Sequence, residues 1–189
     1  MSSEILAQYR AECIAAFEAV DLEAVEAVVT ALLAARSAGS IVFLAGNGGS
    51  AATASHMAVD LMLGSMLSNP PLKVIALTDN QAIITATGND VGYDVIFSRQ
   101  LEKLGSAGDV LVTISASGNS PNIIAAVEMA KSKGITTVGF TGFDGGQLKS
   151  LVDLAVHVPT RKGAYGAVED IHLAVNHMIT EQLKVADAV

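Results

Sequence analysis

Apolar residues recur at two different periods along this 189-residue chain. From residue 3 to 36 the spacing is three to four. Leu6, Tyr9, Cys13, Ala16, Phe17 and Val20 form one stripe, and Leu22, Val25, Val28, Val29, Leu32 and Leu33 a second. This predicts two helices, the second capped by Asp21 and the pattern broken at Ser37-Ala38-Gly39-Ser40. From residue 41 short apolar runs alternate with helical stretches. The runs at 41–45, 73–77, 109–115, 136–141 and 154–158 read as strands. Most are continuous rather than alternating, as expected of strands covered on both faces. Helices are predicted near 49–66, 81–88, 93–104, 120–133 and 144–151, with a long last one from Gly166 to Ala186. Strand-helix alternation of this kind predicts a three-layer, doubly wound, five-stranded parallel sheet. Ligands on such sheets bind at the carboxyl ends of the strands, where strand order reverses. Asn69-Pro70-Pro71 and Thr160 to Tyr165 are the most loop-like stretches, and nothing suggests a second domain.

Composition narrows this picture. Hydrophobic residues make up 51% of the chain and charged residues 16%. So few charges on a small domain point to surface hidden in subunit contacts, and the N-terminal helical pair is the natural interface element; covering a sheet face is its other use. The net charge of −8 and the lack of any basic patch argue against nucleic acid as a partner. The single Cys13 excludes an internal disulfide framework. Met1 to Arg10 carries Glu4 and no long apolar block, and no apolar run of about 18 residues follows. The expectation is a cytoplasmic protein with no membrane span.

Four constellations could carry chemistry. Gly46-Asn47-Gly48-Gly49-Ser50 lies between a strand and a helix start, where bare N–H groups and the helix dipole favour an anion. Such turns also serve only for close packing, and this one lacks the spacing of a P-loop or a dinucleotide site. The helix it launches carries His56 and Asp60, four residues apart and therefore on one face. Ser115-Ala116-Ser117-Gly118-Asn119-Ser120 is the second, again between a strand and a helix, with Pro121 placed for the first helical turn. One serine would suffice for an N-cap, so three point to phosphate. Thr87-Gly88-Asn89-Asp90 could bind sugar hydroxyls or serve as a capping turn. On the last helix, Glu169 and His177 share a face two turns apart, with Asp170, His172 and Asn176 nearby. Such groups ligate Zn²⁺ or Fe²⁺, act as acids and bases, or simply line a solvated face. His157, on a strand, reads as a hydrogen-bonded structural residue.

Taken together, these pieces resemble the sugar isomerase (SIS) domain, and more narrowly its phosphoheptose isomerases. The markers are Gly46 to Ser50, His56, Gly88-Asn89-Asp90, Ser117-Gly118-Asn119-Ser120, Thr141-Gly142 with Asp144-Gly145-Gly146, and His177. The resemblance implies a flavodoxin-like SIS domain over 1–189, with 1–38 as a helical oligomerisation segment and 39–189 as the α/β core. It implies that Asn47, Gly48, Gly49, Asn89, Asp90 and Glu169 contact substrate. It implies that Ser115, Ser117 and Ser120 hold the phosphate, with Ala116 a substrate-binding position between them, and that Asp60 and His177 are catalytic. A Zn²⁺ or other divalent ion, one per subunit, would bind His56, Asp60, Glu169 and His177. The assembly implied is a homotetramer with active sites between subunits.

The chain departs from the family pattern at three places. Asp60 stands where the family has Glu, Glu169 where it has Gln, and Ala116 where it has a hydroxyl in the phosphate loop. The reaction implied is aldose–ketose isomerisation of a small phosphorylated sugar through an enediol(ate), from sedoheptulose 7-phosphate to glycero-manno-heptose 7-phosphate. Asp60 is the first choice for moving the proton, with His177 as partner acid–base or metal ligand. Two other readings stand beside it. One is a non-catalytic SIS module of the kind that associates with the bacterial replication initiator. The other is an isomerase of a different phosphosugar.

Overall fold

In a computed structural model the chain is described over residues 2–64 and 70–186. Two helices, α1 (Ser2–Glu18) and α2 (Leu22–Ala38), precede the strand β1 (Ile41–Gly46). The side chain of Asp21 caps α2, accepting from the N–H groups of Glu23 (3.0 Å) and Ala24 (3.4 Å). There follow α3 (Gly49–Gly64), β2 (Lys73–Ala76), α4 (Gln81–Asp90), a 3₁₀ turn (Tyr93–Val95), α5 (Ser98–Leu104) and β3 (Val110–Ser115). The chain continues through α6 (Pro121–Ser132), β4 (Thr136–Phe143), α7 (Gly146–Leu151), β5 (Leu154–Pro159) and α8 (Tyr165–Ala186). Residues 65–66, expected to end the α3 helix, and Asn69 of the proline loop lie outside the described residues.

All five strands are parallel, in the order β2-β1-β3-β4-β5. This is the doubly wound sheet expected, with one switch point, between β1 and β3. Strand position explains strand composition. Central β3 is buried at every residue and β1 and β4 at all but the first, whereas edge strand β2 alternates, exposing Lys73 and Ile75. Alternation along β1 feeds two cores. Val42 and Leu44 join α2, α3 and α8 through Val28, Leu32, Met57 and Ile179. Phe43 and Ala45 join α5, α6 and α7 through Leu101, Ile123 and Leu148.

Several boundaries differ from those expected. Asp109 is not the first residue of β3. Its carboxylate accepts from the N–H groups of Ile41 and Ser106, both at 2.8 Å, and so stitches the start of β1 to the turn before β3. The helix expected at 93–104 is broken into the 3₁₀ turn and α5, with Ile96 and Phe97 between them buried in the core. α4 runs on to Asp90, so Asn89 and Asp90 lie in its last turn.

Candidate active site

The loops after β1 and β3 sit side by side at the switch point, because Gly46 of β1 pairs in register with Ile114 of β3. The serine loop is built by its own backbone. The Gly118 N–H meets the Ser115 carbonyl and hydroxyl, both at 3.1 Å, and the Asn119 N–H meets the Ser117 hydroxyl at 3.3 Å. Gly118 has φ +62°, and a Cβ there would overlap the Gly145 carbonyl. Only glycine lets the two loops pack this closely. The β4–α7 turn supports the serine loop from behind. Leu148 N–H donates to the Gly118 carbonyl (2.9 Å) and Gln147 N–H to Asn119 Oδ1 (3.1 Å). The Asp144-Gly145-Gly146 marker thus begins the turn that holds the serine loop. Ser120 stands at the N-cap of α6, yet its side chain makes no capping bond and faces the Ser115 hydroxyl at 3.4 Å. That leaves its hydroxyl available to a ligand.

Ser115, Ser117 and Ser120 open onto a cleft of ≈ 170 Å³, closed on the other side by Asn47, Ser50, Tyr165 and Glu169. Ala116 also lines it. Glu169 reaches from α8 to the first turn of α3, where a Cβ on Gly49 would overlap its carboxylate. The N-terminus of α3 is thus already faced by a carboxylate, so the serine loop is the better seat for a phosphate. The Asn47 side chain is largely spent within the protein. It exchanges two 2.9 Å hydrogen bonds with the Asn122 amide, and its Oδ1 accepts a third from the Tyr93 hydroxyl at 3.0 Å. Asn89 and Asp90 do not line this chain's cleft; they bond to each other at 2.7 Å on the exposed side of α4.

Two turns along α8 a second group forms. His56 and Asp60 of α3 meet His177 of α8. His56 Nε2 lies 3.2 Å and His177 Nε2 3.6 Å from Asp60 Oδ2, and the two ring nitrogens are 3.3 Å apart. Neighbouring donors on a tetrahedral Zn²⁺, bound at about 2.0–2.2 Å, stand about 3.4 Å apart, so the spacing and the donor chemistry both fit a divalent ion. Glu169, expected as a fourth ligand, does not join this group among the described residues. It is eight residues from His177, about 12 Å along the helix axis. Asn176, beside His177, donates to Asp60 Oδ2 at 2.6 Å.

His172 is kept out of both groups. It is fully buried, with Nε2 on the Thr141 carbonyl at 3.2 Å and Nδ1 without a partner. Burial pushes its pKa down to about 4, only partly opposed by that carbonyl. Its unpaired ring nitrogen marks a neutral structural histidine. His157 is the hydrogen-bonded strand residue expected, with Nδ1 3.0 Å from the Thr141 hydroxyl. Sequence reasoning missed Asn122, Tyr93 and the Tyr9–Asp170 bond (2.6 Å) that ties α1 to α8. Only the last carries a local hint, an aromatic on the predicted interface helix.

Comparison with known proteins agrees with this architecture. A family model described as "SIS domain" matches residues 7–142. A phosphoheptose isomerase of Burkholderia pseudomallei (strain 1710b) is 45% identical over 158 residues, covering 84% of this chain and 79% of that one. One from Geobacter sp. (strain M21) is 41% identical, covering 96% and 94%. Among solved structures, phosphoheptose isomerase GmhA from Neisseria gonorrhoeae superposes with a TM-score of 0.89 at 33% identity, over 100% of both chains.

Proposed function

The chain belongs to the SIS-domain family, among its phosphoheptose isomerases, and on that footing we propose how its site isomerises sedoheptulose 7-phosphate to glycero-manno-heptose 7-phosphate. The observation that carries the reading is the course of α8. It brings Glu169 to the serine-lined cleft and, two turns on, His177 to His56 and Asp60.

The substrate's phosphate binds the hydroxyls of Ser115, Ser117 and Ser120 and the start of α6. Gly48, Gly49 and the remaining amide N–H of Asn47 contact sugar hydroxyls, and Glu169 hydrogen-bonds them from the opposite wall. Asn89 and Asp90 bind substrate in a neighbouring subunit's site. In the reaction, Asp60 takes a proton from C1 of the ketose. The C–H electron pair becomes the C1–C2 double bond, and the carbonyl oxygen at C2 gains a proton. Return of the proton to C2 and loss of the O1 proton then leave the aldehyde at C1, with no net oxidation. Asp60 would carry the proton on Oδ1, since Asn176, His56 and His177 all lie against Oδ2. Where it is not holding an ion, His177 is the partner that moves protons at oxygen.

His56, Asp60 and His177 are also the residues that would hold Zn²⁺ or another divalent ion. Glu169 would complete the set only by turning away from Gly49. Such an ion would polarise the C2 carbonyl and steady the developing oxyanion. A homotetramer and a cytoplasmic location complete the proposal; among the described residues no helix is long and apolar enough to cross a membrane.

The test is a panel of ketose phosphates incubated with the purified protein, with and without Zn²⁺, and read by NMR for the aldose product. Conversion of sedoheptulose 7-phosphate is expected. Conversion of another ketose phosphate alone would move the assignment to that sugar. No conversion of any, with metal present, would make the protein a binding module instead.

A further inference from the structure

Asn176 is 0% exposed and sits among the buried α8 residues Ile171, Val175 and Ile179. Its Nδ2 donates to Asp60 Oδ2 at 2.6 Å, and its Oδ1 has no partner. A buried amide with one atom unsatisfied is costlier than an apolar side chain of the same branching, so packing alone does not account for an asparagine here. The oxygen that Asn176 holds is the same one that His56 Nε2 and His177 Nε2 approach at 3.2 and 3.6 Å.

We propose that Asn176 is a positioning residue, whose amide fixes the short carboxylate of Asp60 between the two imidazoles. Aspartate has a short reach, so only a narrow range of its side-chain torsions carries Oδ2 from α3 to a residue on α8. A donor one residue before His177 ties that oxygen to the helix that supplies the second imidazole. The donor is neutral, so it orients the carboxylate without cancelling the charge that attracts a cation. An ammonium or guanidinium in its place would compete with the metal. Carboxylates that ligate metals are commonly held by such an outer hydrogen bond, and losing it typically lowers affinity about 10–100-fold. The inference rests on reading His56, Asp60 and His177 as the donor set for a divalent ion.

The experiment is Co²⁺ titration of metal-free protein, followed by visible absorption and by competition with a chromophoric chelator, beside thermal melting and kinetics. Asn176→Leu is expected to weaken Co²⁺ binding about 10–100-fold. Its melting temperature carries both the gain from removing an unsatisfied amide and the cost of a bulkier side chain, kcat should fall, and KM for the phosphosugar should hold. Asn176→Ala, which only deletes the amide, should give the same loss of affinity. In an Asp60→Ala background, neither substitution should weaken Co²⁺ binding further. Wild-type affinity in both Asn176 variants would overturn the proposal. So would a loss of affinity that persists undiminished in the Asp60→Ala background. If the wild-type protein binds no Co²⁺, the donor-set reading itself fails and the inference falls with it; wild-type binding with indifferent variants sinks the inference alone.

Discussion

Asp60 and Glu169 are two carboxylates that the structure sends to different duties. Asp60 is enclosed by Asn176, His56 and His177, whereas Glu169 faces the serine loop across the cleft. Asp60→Ala and His177→Ala should each lower isomerase turnover about 10²–10⁴-fold, the usual worth of a positioned acid or base. Retained turnover in either would refute the assignment. Glu169→Gln should leave Co²⁺ affinity within a few-fold of wild type and change mainly KM; a large loss of affinity would return Glu169 to the metal set. His172 yields a pH prediction. Its folded pKa, about 4, lies below the ordinary value of 6.5. Unfolded chains therefore bind a proton that the folded chain refuses between those values. Stability should be full above pH 6.5 and fall as pH drops toward 4, by about 3 kcal/mol in all. Urea midpoints measured across that range should show the fall, and His172→Phe should flatten it. The His56–Asp60 pair was legible in the sequence because helical spacing alone places i and i+4 together. The link from Asn47 to Asn122 was not, since it joins residues 75 apart that meet only once β1 and β3 are neighbours.

Among the elements, the serine loop depends most on its neighbours. Gly118 is pressed against the β4–α7 turn, and that turn in turn holds Gly118 and Asn119 through backbone N–H groups. A side chain at 118 must both adopt φ +62° and displace the Gly145 carbonyl. Gly118→Ala should therefore cost at least about 1–3 kcal/mol of stability. It should also raise KM for the phosphosugar, because the hydroxyls it aligns are those proposed to receive the phosphate. A variant with unchanged melting temperature and KM would show that the loop has room to adapt. This dependence explains what the sequence could and could not say. The five strands and their order of appearance were readable, since central strands advertise themselves as continuous apolar runs. The packing role of Asp144-Gly145-Gly146 was not, because its partner is another loop 27 residues upstream. Helix ends were misread where tertiary demands intervened. The break before α5 follows Ile96 and Phe97 into the core, a preference of the packed sheet and not of the local residues.

At the scale of the whole molecule, the unfinished part is α1. Its side chains at Ile5, Leu6, Ile14 and Phe17 are 67%, 69%, 53% and 45% exposed, and Ala16 is its one fully buried residue among those described. Most helical stability comes from packing an apolar face, so a helix this apolar and this bare lacks the contacts that would hold it. Tyr9 bonded to Asp170 fixes one side of α1 to α8, which leaves the other side for a second copy of the chain. Asn89 and Asp90, absent from their own chain's cleft, are proposed to serve that of a neighbour in the assembly. Light scattering of the purified protein should therefore give the mass of a tetramer. Placing charges in the apolar face, as in the double variant Leu6→Glu, Phe17→Glu, should lower that mass and reduce turnover at the same time. The serine loop and the His56–Asp60–His177 group lie within one chain, so Co²⁺ binding should survive dissociation even as isomerase activity falls. A wild-type monomer would remove the premise. A dissociated variant with full activity would mean that each subunit carries a complete site, and that Asn89 and Asp90 have no part in it.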